Sequence, residues 1–316
     1  MVNRTDNKFT KTVAILWEGV VVYIKNIDTF FKFMAFPVFG QLFGLVLILT
    51  VNYFYVTNIS SLIKIFPYMN NITFALTVLL IGVFPGFLIF CKAFYDFLLA
   101  YGALNSIVYV SKGKKPDKSD PATHVGVLKK RIPSFLLLWA ILAILTVIGA
   151  FPLFILPALF IAVYFALCFQ TFMLEDSNGA FSSIKRSITL VKTNYLMTLS
   201  VIIFSFLLTY VAVPSLVVIG FEKLNLIKYI SLPVQKYAEL LPVEQMVESF
   251  FAFCSDTLKN FVDINLAKEI NLTPLIHSFV KTVVSSCVTM FLLPMRCAWF
   301  TLLYKDYDTR KTVTKS

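Results

Sequence analysis

Apolar residues run along this chain in long blocks, separated by polar segments of uneven length. Most of the blocks reach or exceed the roughly 20 residues that a helix needs to cross a bilayer. From Ile132 to Leu174 no residue is charged, and Gly149 and Pro152 divide this stretch into a predicted helical hairpin. The pattern predicts an all-α polytopic membrane protein with six transmembrane helices, at residues 29–57, 72–98, 132–150, 152–174, 195–220 and 274–304.

Two segments outside these blocks have the period of an amphipathic helix. Over residues 179–193, one face carries Phe181, Ile184, Ile188 and Val191 and the opposite face is basic. Residues 8–26 repeat the spacing with an apolar face of their own, which includes Trp17. Such helices lie in the bilayer interface when they flank spans. We expect both to contact lipid, through the candidates Lys185, Arg186, Lys192, Trp17 and Lys25.

A short acidic stretch joins the fourth span to the second amphipathic helix. Glu175, Asp176, Ser177 and Asn178 end the apolar run, and these residue types favour a helix N-cap. The paired carboxylates Glu175 and Asp176 also fit a catalytic interpretation. Their position before a helix favours the cap.

Composition and charge support the membrane interpretation. Only 14% of the residues are charged, against about 25% in soluble proteins, and the mean hydropathy is +0.80. The net charge of +11 comes from bases that flank apolar spans, so it indicates membrane topology and we expect no nucleic-acid partner.

The distribution of the bases predicts the orientation. With six spans both termini share one side, and 18 of the 28 Lys and Arg residues fall on that side. The long loop over residues 221–273, which contains an apolar helical stripe, falls on the other side and is mildly acidic. The positive-inside rule then places both termini in the cytoplasm and that helical loop outside, for a bacterial inner-membrane protein.

Few residues are candidates for chemistry. The sequence has no recognisable hydrolase, nucleotide-binding or zinc motif, so we predict no catalytic residue, no cofactor, no metal site and no enzyme activity. Ionisable residues within predicted spans are the default functional candidates. They are Lys92, Asp96, His277, Lys281 and Arg296, all near predicted span ends, where long side chains can reach the interface and Lys92 can pair with Asp96. Pro85-Gly86 predicts a kink in the second span.

Three stretches together resemble a known family. They are LEDSNGAFSSIKRSITLVKTN, the preceding FPLFILPALFIAVYFAL, and LLPMRCAWFTLLYKDYDTRK near the C-terminus. The chain resembles the glycerophosphoryl diester phosphodiesterase membrane-domain family and its stand-alone relatives. The resemblance implies six spans with cytoplasmic amphipathic helices, and it matches the family's C-terminal motif to Leu303, Tyr304, Asp306, Arg310 and Lys311. In fused relatives the phosphodiesterase activity belongs to a separate soluble barrel, which is not recognisable in this sequence, so the activity is not transferred.

Three functional hypotheses follow. The first is a non-enzymatic scaffold or accessory protein that interacts with anionic membrane lipids, with room for an unknown membrane-protein partner. The second is a small-molecule transporter or export subunit, motivated by six spans and the Pro85-Gly86 kink. The third is an intramembrane enzyme, which requires Asp96, Glu175, Asp176 or His277 to converge.

Overall fold

A computed structural model describes residues 4–111, 125–126, 128–149, 155–175, 179–240 and 272–313. These ranges are helical, and no strand occurs within them. The first helices are α1 (Arg4–Lys25), α2 (Ile27–Ile65), α3 (Ile72–Ser111), α4 (Ile132–Gly149), α5 (Ile155–Phe165) and α6 (Cys168–Leu174). The later helices are α7 (Ala180–Val191), α8 (Tyr195–Phe206), α9 (Val213–Lys223), α10 (Leu226–Leu240), α11 (Leu272–Phe291) and α12 (Leu293–Val313).

Four stretches are long and apolar enough to cross a membrane. They are Ile27–Ile59, Thr73–Val110, Tyr195–Lys223 and Thr273–Thr309, and two shorter apolar helices cover Ile132–Ile148 and Leu159–Leu174. Most side chains in the four long stretches are not buried within the protein, although the stretches are strongly apolar. Large apolar side chains that face outward are expected where the surroundings are hydrocarbon. The chain is therefore a helical, membrane-embedded protein.

Several helices continue beyond the boundaries that the sequence predicts. Helix α2 runs on to Ile65, and a 3₁₀ turn at Pro67–Asn70 leads to α3, whose first amides at Thr73 and Phe74 donate to the Asn71 side chain. Helix α3 passes through Pro85 without interruption and ends at Ser111, so residues 99–111 are not linker. They are apolar and largely buried, and the bases that indicate a linker begin only at Lys112.

The fourth predicted span contains a break. Helix α5 ends at Phe165 and α6 begins at Cys168, which leaves the Tyr164 carbonyl and the Leu167 amide outside regular helix bonding. The Ser187 hydroxyl of α7 donates to Tyr164 O at 2.7 Å and accepts from Leu167 N at 3.2 Å. One buried serine thus satisfies both groups of the break.

The last two predicted spans are interrupted as well. A π-helical turn at Leu207–Ala212 separates α8 from α9. Helix α11 ends at Phe291 and α12 begins at Leu293, because Pro294 has no amide hydrogen to continue the helix. Helix α12 then runs to Val313, so most of the predicted polar tail from Lys305 is helical.

The described residues belong to two compact units. The first comprises Met1–Phe39, Lys92–Val213 and Thr289–Ser316, and the second comprises Gly40–Cys91 and Pro214–Val288. Both amphipathic segments lie in the first unit. Residues 241–271, which hold most of the predicted helical loop, fall outside the described residues.

The core of the first unit has two parts. In one part α1 runs antiparallel to α12: Trp299 donates its indole N–H to Leu16 O at 2.8 Å, and its ring contacts the Gly19 backbone so closely that a side chain there would clash. In the other part α6 packs against α3 and α4 through Phe169, Phe172 and their neighbours. A buried amide pair, Gln170 Nε2 to Asn105 Oδ1 at 3.0 Å, lies beside this apolar cluster.

In the second unit, α2 and α3 cross through glycines. A Cβ on Gly44 would lie 2.7 Å from Phe90 N and 2.8 Å from Gly86 O. Gly44 and Gly86 each stand four residues after another glycine, Gly40 and Gly82, the spacing that lets membrane helices approach closely. Tyr55 closes the same pair by donating to Ala75 O at 2.6 Å.

We expect Gly44→Ala to destabilise this crossing by about 1–3 kcal/mol, because its methyl group would overlap backbone atoms of α3. The matched control is Gly220→Ala in α9, where an added Cβ meets nothing within 4 Å. That variant should be neutral or gain up to about 1 kcal/mol in helix propensity. Thermal unfolding of both purified variants in one detergent measures the difference. Equal melting temperatures would show that the two helices do not meet at Gly44.

Candidate functional site

Helix α7 packs on the protein through small and polar residues. Its buried positions include Ala180, Ser183, Ser187 and Leu190. Ser183 O accepts from the Thr171 hydroxyl at 3.0 Å, which joins α7 to α6. The Ser187 hydroxyl of the same face satisfies the two backbone groups that the α5–α6 break leaves without helical partners.

The apolar face predicted for α7 points largely outward. The Phe181 side chain is 71% exposed and Ile188 is also exposed, while of that face only Val191 is fully buried. Lys185 lies between Phe181 and Ile188 along the helix and is exposed as well. The outward surface of α7 therefore combines large apolar side chains with a base.

Helix α1 has the same distribution. Its packed side consists of Thr12, Ile15, Gly19 and Val22. Its exposed side carries an apolar stripe at the helical period, formed by Phe9, Val13, Trp17 and Ile24, with Lys25 exposed at the end of the helix. On α1 this stripe does not pack on the protein, whereas on α7 only part of the apolar face, Phe181 and Ile188, stays exposed.

An apolar groove of about 890 Å³ lies between α1 and α8. Phe9, Val13 and Trp17 line it on the α1 side, and Leu196 and Phe204 line it on the α8 side. At one end it reaches the turn formed by Lys192, Thr193 and Asn194, which joins α7 to α8. Two of the sequence-predicted lipid candidates, Trp17 and Lys192, therefore line one groove.

The acidic stretch after α6 belongs to a charged cluster. Glu175 Oε1 accepts from Arg186 Nε at 2.8 Å and from the Tyr304 hydroxyl at 2.9 Å. Arg186 Nη2 also donates to Asp308 Oδ1 at 2.7 Å. The cluster joins the α6–α7 connection, α7 and α12. Its carboxylates are engaged by donors, so its chemistry is that of a structural ion-pair network.

Glu175 therefore does not cap α7. The N-cap residue is Gly179, which has no side chain that could bond the first turn. The other proposed capping residues, Asp176, Ser177 and Asn178, lie outside the described residues. The Glu175 side chain instead accepts a hydrogen bond from Arg186. The acid at this position therefore acts through an ion pair and not as a helix cap.

The cluster keeps Arg186 charged. Partial burial lowers the pKa of Arg186, but the hydrogen bond that it donates to Glu175 and the negative charges of Glu175 and Asp308 outweigh that effect and raise the pKa above its ordinary value. Arg186 is thus a half-buried cation held in an ion-pair network rather than a free base for the lipid surface. Among the described lipid candidates, this distinguishes it from the exposed Lys25, Lys185 and Lys192.

The C-terminal motif meets the same region. Leu303 and Tyr304 are buried on α12, with Tyr304 in the cluster. Asp306 accepts from Lys11 Nζ at 2.9 Å and joins α12 to α1. The backbone of Arg310 and Lys311 is helical, and their side chains lie outside the described part of the structure. Two of the three sequence stretches that carry the family resemblance therefore contact each other through Glu175, Arg186 and Tyr304.

Four of the five ionisable candidates in the predicted spans, all but His277, have local partners in the described structure. Lys92 Nζ lies 2.5 Å from both carboxylate oxygens of Asp96, as their four-residue spacing predicts. In the second unit Lys281 Nζ lies 2.5 Å from Glu222 Oε1, and His277 is half-buried on α11. Among the described residues, no group of three His, Cys, Asp or Glu side chains is placed to hold a metal ion.

Arg296 is directed at the helix breaks of the first unit. Its Nη2 donates to Thr289 O at 3.0 Å, and its Nη1 bonds the Tyr210 hydroxyl while the guanidinium stacks 4.5 Å from the Tyr210 ring centroid. Thr289 in turn donates to Thr209 O in the π-helical turn at 3.3 Å. The Arg296 side chain thus donates hydrogen bonds where the helices are interrupted. Its sequence position near a span end does not indicate this role.

Sequence reasoning missed the polar residues that face inward. The charge and periodicity patterns give no role to Thr171, Ser183 or Ser187. They also indicate only apolar character for the uncharged stretch that contains Gln170. Their signal is present in retrospect: Ser183 and Ser187 are four residues apart, and Gln170 and Thr171 are adjacent polar residues in a run of apolar ones.

We expect Arg186→Gln to destabilise the first unit by about 1–3 kcal/mol, because it leaves Glu175 and Asp308 without their shared cation. Solvent screening at the half-exposed Asp308 places the effect towards the lower end. Lys185→Gln is the matched control, since its exposed side chain should change stability by less than about 0.5 kcal/mol. A double-mutant cycle of Arg186→Gln with Asp308→Asn, followed by thermal unfolding, measures the coupling. Additive effects would contradict the Arg186–Asp308 contact.

Comparison with known proteins gives this chain no relative. No family model, no curated protein and no solved structure matches it. The family resemblance inferred from its three sequence stretches remains a prediction.

Proposed function

We propose that this chain is a non-enzymatic scaffold or accessory protein of the bacterial inner membrane that binds anionic lipid. The observation that carries the proposal is the outward apolar surface of α1 and α7 with exposed bases beside it. In water such a surface would be unfavourable, since burying a large apolar side chain contributes about 1.5–3 kcal/mol. At a membrane it gains that energy from lipid.

The arrangement of charge supports an anionic partner. Lys185 is exposed between Phe181 and Ile188, and Lys25 ends the exposed stripe of α1. A base near an anionic leaflet contributes about 1 kcal/mol to membrane association. Arg186 does not contribute in the same way because Glu175 and Asp308 engage it.

The proposed topology has six spans, with the two shorter apolar helical regions as the central hairpin and α1 and α7 as interfacial helices. The four long apolar stretches and the concentration of bases on one predicted side support it. In this topology both termini are cytoplasmic, and the basic surface meets the leaflet that is richest in anionic lipid.

A transporter is the second candidate, for one reason. The π-helical turn at Leu207–Ala212 and the break after Phe291 contact each other through Thr209 and Thr289, and broken helices line substrate sites in many transporters. Arg296 already bonds to Thr289 and Tyr210 in this region. Because these contacts hold the break together, they favour a structural role, and we place lipid binding first.

The test is lipid enrichment around the extracted protein. Wild-type protein and the variant Lys25→Glu/Lys185→Glu are extracted with a disc-forming polymer from membranes of equal anionic and neutral phospholipid content, and the co-extracted lipid is quantified by mass spectrometry. We expect anionic lipid to be enriched around the wild type, and the enrichment to be lost in the variant because two attractions become repulsions.

The control is Lys64→Glu/Lys223→Glu, which changes the net charge equally at two exposed bases predicted to face the other side. It should retain the enrichment. If wild-type discs have the composition of the source membrane, or if both double variants lose enrichment equally, the proposal is wrong.

A further inference from the structure

We propose that the groove between α1 and α8 is a binding site for one anionic phospholipid, with an acyl chain along the groove and the phosphate at Lys192. This deepens the proposed function and rests on it. Attraction of lipid to the whole basic surface would be delocalised, whereas this site would hold a single lipid in a defined position.

The walls of the groove suit a hydrocarbon chain. Trp17, Val13 and Phe9 form one wall, and Leu196, which is 76% exposed, and Phe204 belong to the other. Ser200 lies in the groove, but its hydroxyl donates to Leu196 O at 2.9 Å within its own helix. The body of the groove therefore offers apolar contacts and little unmet hydrogen-bonding capacity.

One end of the groove is polar and cationic. Lys192 is the one charged residue among the described lining residues, and no described carboxylate forms an ion pair with it. Thr193 and Asn194 follow it in the turn and line the same end. A cation at one end of an apolar channel complements a ligand with an anionic head and a hydrocarbon tail.

The dimensions agree with one leaflet. From Tyr195 to Phe204 the lining residues of α8 extend over about 14 Å at 1.5 Å per residue. Half of a hydrocarbon core of about 30 Å is about 15 Å. The groove volume of about 890 Å³ is within the range of small-molecule sites. An acyl chain that enters at Lys192 would thus find apolar contacts over its depth in the leaflet.

The site is tested by fluorescence quenching in detergent. Phosphatidylglycerol with brominated acyl chains quenches tryptophan on contact. Trp17 lines the groove, whereas Trp299 is buried and the half-buried Trp139 packs on Phe169 outside the groove. We expect quenching of the wild type to saturate at one lipid per chain, and this component to disappear in Trp17→Phe. Native mass spectrometry should show one retained lipid on the monomer.

Two variants separate the site from the surface. Ser200 is exposed in the groove, so Ser200→Phe fills the groove without removing a packed side chain. This variant should abolish the saturable component of quenching, while Ser200→Ala should retain it. Lys192→Gln should weaken binding about fivefold, the equivalent of about 1 kcal/mol for one base, and Lys192→Arg should restore it. Phosphatidylcholine with the same chains should bind about as weakly to the wild type as phosphatidylglycerol binds to Lys192→Gln.

Other outcomes overturn the site. Quenching that rises without saturation and equally in Ser200→Phe would indicate surrounding lipid only. A dimer whose Trp17 is shielded from brominated lipid would make a second copy of this chain the occupant. Both leave the lipid enrichment of the Lys25 and Lys185 test unaffected, so failure of this site is distinguishable from failure of the proposed function.

Discussion

A polar group inside this helical bundle must find its partner within the protein, because hydrocarbon offers none. The Ser187 hydroxyl meets this constraint at the α5–α6 break by bonding both Tyr164 O and Leu167 N. Arg296 meets it at the break after Phe291, and Gln170 meets it by donating to Asn105. The α5–α6 break, the π-helical turn and the break after Phe291 are each matched by a side chain from another helix, which constrains how α7 and α12 pack.

The same constraint determines which faces point outward. Small and polar residues such as Ser183 and Gly19 face the protein, because they allow close approach or supply hydrogen bonds. Large apolar residues such as Phe181 and Trp17 then remain on the outside. Helix α1 is thus attached through its less apolar side, and on α7 the large side chains of Phe181 and Ile188 remain exposed.

The sequence predicts the helical class and the position of α7 well, because charge-free runs and a 3.6-residue period are local signals. It also predicts the Lys92–Asp96 pair from spacing alone. It does not predict the breaks within spans, since composition does not change where α5 ends and α6 begins. The predicted second span ends at residue 98, before the end of α3, because the apolar residues 99–111 adjoin a basic segment.

The charged cluster of Glu175 and Arg186 could not be predicted from the sequence for a different reason. Glu175 and Arg186 are eleven residues apart, and their partners Tyr304 and Asp308 are more than a hundred residues away, so no local pattern links them. The family resemblance includes the stretches that hold these residues, but it does not indicate that the stretches contact each other. The sequence also does not show which face of α7 packs on the protein. A hydrophobic period identifies an apolar face, but it does not distinguish burial against protein from contact with lipid.

If α7 lies in the membrane interface, its exposed apolar side chains contact hydrocarbon. The direct measurement is electron paramagnetic resonance of spin labels at Phe181→Cys and Ile188→Cys, in a reconstituted variant whose five native cysteines are replaced. Oxygen partitions into hydrocarbon and a charged nickel complex into water, so their relative collision rates report the surroundings of each label. We expect collisions with oxygen to dominate at both positions. Preferential contact with the nickel complex at Phe181 and Ile188 would place this face in water and contradict it.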